Sequence, residues 1–237
     1  MKHRYRGLLC CTMLMAAAAG TAGGADQNTE HEISEKIRAK IAPIYRKYIG
    51  VECKREIISM QYDSRDNTYQ GTYTVLLDRK EYFYKRAKYT VLKYVKDGKE
   101  TAKWKYRPRT LPPAFPPFDP ESDKHYDIRL AGKKAIQGVP CWEFEIIPKK
   151  KNSRHIKGRC YFTVKGLDLF YLEGTVADLP FGVKSVDLEI FFKKVEDAYV
   201  LSHGTYTFVV HVPVFYPHKK FVQKFTSSED RLIPVKQ

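Results

Sequence analysis

Residues 138–164 read GVPCWEFEIIPKKKNSRHIKGRCYFTV, and this stretch decides the fold. Apolar and charged side chains alternate from 142 to 146, and a run with the same two-residue period follows at 157–164. That period is typical of a β-strand with one buried face. The polar segment 149–154 separates the two runs, so the sequence predicts a hairpin.

The same period continues along most of the chain. Short runs rich in Tyr, Phe, Val, Ile and Thr are punctuated by turn residues, and Asp97-Gly98 is a strong signal for a tight hairpin turn. Some neighbouring runs can be one bent strand, so we expect about 10–13 antiparallel strands in a meander of hairpins. The predicted strands are 52–63, 68–78, 80–86, 89–96, 100–107, 125–131, 133–137, 141–147, 157–164, 167–175, 183–194, 199–212 and 219–228.

One helix precedes the strands. Apolar residues recur at helical spacing over 33–48, with charged residues largely on the other faces. Thr29 and Glu32 can form a capping box at the start of this helix. Pro43 is expected to bend or divide it, and Gly50 is a natural stop.

A single helix cannot cover a sheet of this size, and the strands are unusually rich in aromatic residues. The sheet must therefore curl into a barrel or half-barrel around its own side chains, or leave room for an apolar ligand. Side-chain alternation assigns a set of apolar residues to the cavity or its lid. They are Tyr82, Tyr84, Leu92, Tyr94, Leu111, Phe115, Phe118, Trp142, Phe144, Phe162, Phe192 and Phe208.

The segment 108–120 interrupts the strand pattern with six prolines. Prolines at this density cannot lie inside a sheet. Leu111, Phe115 and Phe118 are interleaved with them, so the segment is expected to lie against an apolar surface. It can serve as a lid over a cavity or as a cover for a sheet edge.

The N-terminal 25 residues have the basic, apolar and small segments of an export signal, in that order. The apolar run 8–19 is shorter than the roughly 20 residues that cross a bilayer. We expect cleavage after Ala25, which leaves a single exported domain over 26–237 in the periplasm. A lipid anchor on Cys11 is the alternative, since Leu8 stands three residues before it.

The chain is strongly basic, with a formal net charge of +15. Outside the cytoplasm, such a charge favours anionic envelope partners over nucleic acid, or it simply keeps the protein soluble. The most basic hairpin turn carries Lys149, Lys150, Lys151 and Arg154. It is either a solvated turn or a contact for an anionic membrane surface or partner.

No catalytic pattern is evident in the sequence. Cys-x-x-Cys, His-Glu-x-x-His, Gly-x-Ser-x-Gly and phosphate-binding glycine loops do not occur, and the spacing of His203 and His211 does not suit a metal. Glu143 and Glu145 alternate with apolar residues and are expected on the solvent face. We therefore predict no catalytic residue, no metal, no cofactor and no enzymatic activity.

Three cysteines remain after cleavage: Cys53, Cys141 and Cys160. An odd number excludes a fully paired set. Alternation points Cys141 outward and Cys160 inward, and directly opposed residues must share a face. A disulfide between these two, or between Cys53 and either of them, stays open.

Several short motifs resemble the outer-membrane lipoprotein-sorting family, the Lol-type periplasmic carriers and receptors. They are Gly132-Lys133-Lys134, Gly138-Val139-Pro140-Cys141-Trp142, Ile147-Pro148-Lys149-Lys150, Gly158-Arg159, Leu172-Glu173-Gly174 and the return hairpin 195–201. The resemblance implies an unclosed antiparallel β-barrel whose apolar concave side holds lipoprotein acyl chains without catalysis. The chain departs from the family where the proline-rich segment 108–120 replaces the lid helices, so another lipid or an envelope-stress ligand would fit the same cavity.

The leading hypothesis is a monomeric periplasmic carrier or sensor that holds lipid or lipoprotein acyl chains in a mainly β half-barrel. A membrane surface and envelope proteins are further candidate partners. The alternative is a basic-faced interaction module with a filled core, which binds anionic envelope lipid or lipopolysaccharide. An exported enzyme is a third class, and only a cluster of titratable groups in a pocket would favour it.

Overall fold

The computed structural model describes residues 27–83, 86–103, 117–153, 155–213 and 216–235. The predicted export signal lies outside these ranges. So do four of the predicted site residues, Tyr84, Leu111, Phe115 and Arg154.

The described residues contain one α-helix, one short 3₁₀ helix over Ser122–Lys124 and eleven strands. The helix α1 spans Gln27–Lys47. The strands are β1 (Tyr48–Asp63), β2 (Tyr69–Tyr82), β3 (Lys88–Lys96), β4 (Lys99–Glu100), β5 (Tyr126–Ile136), β6 (Val139–Pro148), β7 (Ile156–Thr163), β8 (Leu169–Val176), β9 (Val183–Val195), β10 (Ala198–Val212) and β11 (Tyr216–Pro234).

The strands form one antiparallel sheet in the order β4-β3-β2-β1-β11-β10-β9-β8-β7-β6-β5. Chain neighbours pair as hairpins on both sides, and the last strand, β11, pairs with the first, β1. Two meanders, β1–β4 and β5–β11, are therefore joined into one sheet. The sheet does not close on itself, which confirms the mainly β, unclosed antiparallel half-barrel.

Two pairs of predicted strands are single strands in the structure. The described parts of the runs 68–78 and 80–86 fall largely in β2, which ends at Tyr82, and the runs 125–131 and 133–137 fall in β5. In β5, the register with β6 shifts between Leu130 and Gly132, and Gly132 has a φ of 142°. This is a β-bulge, which bends a strand without ending it, so the alternative of one bent strand holds there.

The predicted strand at 100–107 is also wrong over its described part. Only Lys99–Glu100 pairs with β3, and 101–103 leaves the sheet. That stretch reads Thr-Ala-Lys and has no large apolar side chain to hold a strand on a buried face. The turn before it is as predicted, because Asp97 and Gly98 both have positive φ, at 47° and 78°.

Helix α1 differs from its prediction at both ends and in the middle. It begins at Gln27, so Thr29 lies inside it, and it ends at Lys47, three residues before Gly50. Pro43 does not divide the helix, and that it bends the helix stays a prediction. The buried residues Ile41 and Ile44 flank Pro43, so packing against the sheet outweighs the backbone hydrogen bond that proline removes.

The main core lies between α1 and the sheet strands β5–β9. Ile33, Ile37 and Ile41 of the helix pack into it. We call the sheet face that carries α1 the concave face. Cys160 lies in this core, whereas Cys141 lies in a smaller cluster on the opposite, convex face. The predicted orientations are confirmed, and each of the three described cysteines is a free thiol.

Candidate functional site

The concave face has two parts, and the first is covered by α1. Phe118, Phe144 and Phe162 are fully buried there, and their ring centroids lie 5.0–5.8 Å apart in edge-to-face contact. Rings in this geometry fill space at the density of a protein interior. We call this part, which spans β5–β9, the covered half.

Two ion pairs hold the helix over the covered half. Arg38 makes two hydrogen bonds with Asp123, and its Nη1 lies 2.9 Å from Asp123 Oδ2. Lys40 Nζ lies 2.6 Å from Asp168 Oδ1, which also accepts a hydrogen bond from the Tyr199 hydroxyl at 2.8 Å. Burial raises the pKa of the Asp168 carboxyl, but these partners outweigh burial and lower it below its ordinary value.

The second part of the concave face lies on β1–β3, β10 and β11, and we call it the open half. The side chain of Ile57 on β1 packs against both the main core and the small cluster around Val75 and Leu77, which places that cluster on the concave face. Tyr73 and Tyr94 pack in the same cluster, with ring centroids 6.0 Å apart.

On β10 and β11, the open half is also aromatic. Phe208 pairs with Phe221 across the two strands, and Tyr206 pairs with Gln223. The Gln223 side chain donates a hydrogen bond to the Tyr73 hydroxyl at 2.9 Å, which links the two pairs of strands. The half-buried rings of the open half form what we call the aromatic strip: Tyr73, Tyr94, Tyr206, Phe208 and Phe221.

A buried charged cluster borders the aromatic strip. Arg55 makes two hydrogen bonds with Glu81, at 2.6 and 2.9 Å, and its Nε donates to the Ser227 hydroxyl at 3.0 Å. Arg79 Nε lies 2.8 Å from the same carboxylate. Burial raises the pKa of Glu81, but the two guanidinium groups outweigh it and hold the pKa below the ordinary value. The carboxylate therefore stays ionised.

The predicted cavity residues fall in different places. Tyr94 and Phe208 lie on the aromatic strip, whereas Phe118, Phe144 and Phe162 form the packed centre of the covered half. Trp142 and Phe192 pack half-buried against the main core. Tyr82 lies at the end of β2 opposite Gly50, and Leu92 lies at a register shift between β2 and β3. That these side chains bind a ligand stays a prediction.

Sequence reasoning missed three residues of the aromatic strip: Tyr73, Tyr206 and Phe221. The alternation Tyr73, Val75, Leu77 and the alternation Phe221, Gln223, Phe225 carry the signal that could have found two of them. The sequence does not reveal that these two strands are joined through β1.

The predicted solvent position of Glu143 is wrong. Its side chain is only 14% exposed, because Tyr161 of the adjacent strand covers it. The Tyr161 hydroxyl lies 3.0 Å from Glu143 and 2.6 Å from Glu173. Glu145, on the same face, is exposed as expected.

The predicted basic turn joins β6 and β7. Lys149, Lys150 and Lys151 are exposed. Lys149 lies 3.3 Å from Asp127 and donates to the Asp123 carbonyl at 2.7 Å. Nδ1 of the buried His155 lies 2.8 Å from the carbonyl oxygen of Lys150, which holds the turn against the sheet.

Within the described ranges, no group of three or more His, Cys, Asp or Glu side chains is placed to hold a metal ion. None of the helices found there combines the length and apolarity needed to cross a bilayer.

Comparison with known proteins gives similarity to solved structures only. No family model and no curated protein sequence matches the chain. A putative outer membrane lipoprotein-sorting protein domain from Vibrio parahaemolyticus is 12% identical and has a TM-score of 0.44, with 87% of this chain and 93% of that chain covered. A LolA-superfamily protein from Nitrosomonas europaea is 8% identical and has a TM-score of 0.41, with 87% and 94% covered.

A DUF1329-family protein from Desulfovibrio piger is 11% identical, with a TM-score of 0.39 and coverage of 86% of this chain and 92% of that chain. The similar structures thus include the family that the sequence resembles. Similarity of this degree does not assign a function to the chain.

Proposed function

We propose that the protein is a non-catalytic periplasmic carrier or sensor that holds an acyl chain of a lipid or lipoprotein along the aromatic strip. The observation that carries this proposal is the half-buried state of five aromatic rings on the concave face of an unclosed sheet. Periplasmic location follows from the export signal proposed for the first 25 residues, and we propose a monomer.

The aromatic strip is suited to an apolar chain for a physical reason. Removing apolar surface from water contributes about 25 cal/mol for each Å², and a methylene group about 0.8 kcal/mol. Rings that stay partly exposed on a concave face have not completed this burial. An acyl chain that lay along them would cover both its own surface and theirs.

The covered half does not offer the same site. Its central rings have no exposed surface that a ligand could contact, since Phe144 and Phe162 are fully buried beneath the helix. A ligand there would have to displace α1 and break the pairs of Arg38 and Lys40. We therefore place the ligand on the open half alone.

The polar atoms beside the strip suit the end of such a ligand. Gln223 and the Tyr73 hydroxyl form a hydrogen-bonded pair on the same face as the rings. Ser59 lies opposite both of them in the sheet. Hydroxyl and amide groups there could meet an ester or amide at the head of an acyl chain, while the rings hold its apolar part.

The test is lipid analysis of the protein purified from the periplasm, followed by titration with a fluorescent fatty acid. We expect a copurified acyl lipid by native mass spectrometry and saturable uptake of the probe. The double variant Phe208→Ser with Phe221→Ser should weaken uptake at least tenfold. Phe170→Ser is the matched control, because that half-buried ring lies on the convex face.

Lipid-free protein that takes up no probe would overturn the proposal. Equal loss of uptake in the control and in the strip variant would do the same, because it would show that the effect is one of general stability. Circular dichroism and thermal unfolding of each variant identify that case.

A further inference from the structure

A second apolar feature lies in the turn between β8 and β9, residues 177–182. Phe181 is 93% exposed, the highest value among the large apolar side chains that the structure describes, and Leu179 in the same turn is 38% exposed. Full exposure of a phenylalanine ring is unfavourable in water. Isolated exposed apolar residues are common on protein surfaces, so what lies beside Phe181 decides whether it belongs to an interaction surface.

The turn is fixed by backbone hydrogen bonds. Val183 N–H donates to the Pro180 carbonyl at 3.0 Å, and His211 N–H donates to the Gly182 carbonyl at 2.7 Å. Gly182 has a φ of 78°, and a Cβ at that position would lie 2.3 Å from a methyl carbon of Val212. The turn therefore needs glycine, and its geometry holds Phe181 outward.

The basic turn of β6 and β7 lies directly beside it. Ala177 N–H, the first residue of the apolar turn, donates to the His155 carbonyl at 2.8 Å. The His155 ring in turn contacts the carbonyl oxygen of Lys150. The backbones of the two turns are therefore adjacent. Lys150 and Lys151 are exposed in the basic turn, and Lys184 is exposed three residues after Phe181.

The charge on this edge of the sheet is mixed but positive on balance close to the tip. Asp178 is exposed within the apolar turn. Lys149 is offset by Asp127. Lys150, Lys151 and Lys184 outnumber the single carboxylate of the turn.

We propose that this edge is a docking surface for an anionic lipid bilayer. Phe181 and Leu179 enter the interfacial layer, and Lys150, Lys151 and Lys184 contact lipid phosphates. We define these five residues as the docking edge. Aromatic and leucine side chains flanked by lysines are the combination that binds the headgroup region of anionic membranes.

A bilayer fits this surface better than a protein does. A stable protein interface buries about 800 Å² on each partner and needs a complementary surface. The docking edge offers one protruding ring among flexible lysines, which a fluid bilayer can accept without a shaped counterpart. The docking edge does not depend on the proposed function. Its turn is bonded to the strand that carries Phe208, because the Gly182 carbonyl accepts a hydrogen bond from the His211 N–H, three residues after Phe208 on β10. The transfer of an acyl chain from the bilayer to the aromatic strip is the one step that rests on the proposed carrier function.

The test is flotation of the purified protein with vesicles of phosphatidylcholine alone or with about 30% phosphatidylglycerol. We expect binding to the anionic vesicles that falls with salt, and weak binding to the neutral ones. Phe181→Ser should reduce binding about tenfold, and so should Lys150→Gln with Lys151→Gln. The matched controls are Tyr89→Ser, an exposed ring on β3, and Lys88→Gln with Lys224→Gln, two exposed lysines elsewhere on the sheet.

Insertion of the ring itself is tested with Phe181→Trp. Its fluorescence should shift to shorter wavelength with anionic vesicles and be quenched by brominated lipids. The docking edge would be overturned if the protein did not bind vesicles, if the Phe181→Trp fluorescence did not shift, or if the control variants lost as much binding. It would also be overturned if an envelope protein bound Phe181 and vesicles caused no fluorescence shift. Retained fatty-acid uptake in Phe181→Ser separates this outcome from failure of the carrier proposal.

Discussion

The covered half and the open half of the concave face are built from the same alternation of apolar and polar residues, yet they differ in what lies on them. In the covered half, α1 and Phe118 complete the burial of the sheet. In the open half, Tyr73, Tyr94 and Phe208 stay half-buried. The difference shows that one face of one sheet is a packed core at one end and a partly exposed aromatic surface at the other.

The largest effect should come from the covered half. Phe162→Ala removes a ring that touches two other buried rings, so the free energy of unfolding should fall by about 3–5 kcal/mol. Urea unfolding followed by circular dichroism measures this. Phe170→Ala on the convex face is the control, and its loss should be clearly smaller. Similar losses would mean that the covered half is not the main core.

A smaller loss is expected from Glu81→Gln, next to the open half. The variant leaves Arg55 buried without its carboxylate, so the free energy of unfolding should fall by about 2–3 kcal/mol near neutral pH. The loss is smaller than in a dry interior because Glu81 is 17% exposed. Its folded pKa lies below the unfolded value of about 4.3. Its contribution is therefore full above that pH and is lost as the pH falls through the folded pKa.

Urea titrations at pH 7 and at acid pH test whether Glu81 stabilises the protein at neutral pH and loses this contribution in acid. The stability gap between wild type and Glu81→Gln should be wide at pH 7 and narrow below about pH 4. Glu145→Gln, an exposed position on β6, serves as the control and should show almost no gap at either pH. A gap that widens in acid would contradict the assigned ionisation of Glu81.

The sequence predicted the hairpins and the faces of their side chains because both follow from local periodicity. It placed Cys141 and Cys160 on opposite faces correctly. It could not show which part of the concave face α1 leaves uncovered, because that depends on the non-local pairing of β11 with β1 and on where α1 packs. It failed at Glu143 for the same reason, since the covering Tyr161 belongs to the neighbouring strand.

The three thiols should differ in reactivity, with the thiol in the covered half the least reactive. Burial raises the pKa of Cys160, Cys141 and Cys53, and for Cys160 in the covered half the pKa lies far above its usual range. All three should resist iodoacetamide at pH 8 in the folded protein, with Cys160 the slowest. In urea without reductant, mass spectrometry should find all three alkylated. A thiol that stays unmodified in urea would reveal a disulfide.

The smallest change in stability should come from the aromatic strip. Phe208→Ala removes a ring that is only half-buried, so the free energy of unfolding should fall by about 1 kcal/mol or less. The same substitution should nevertheless weaken uptake of a fluorescent fatty acid, since the ring belongs to the proposed ligand surface. If Phe208→Ala were instead as destabilising as Phe162→Ala, the open half would be a core like the covered half. An acyl chain would then have no surface on which to lie.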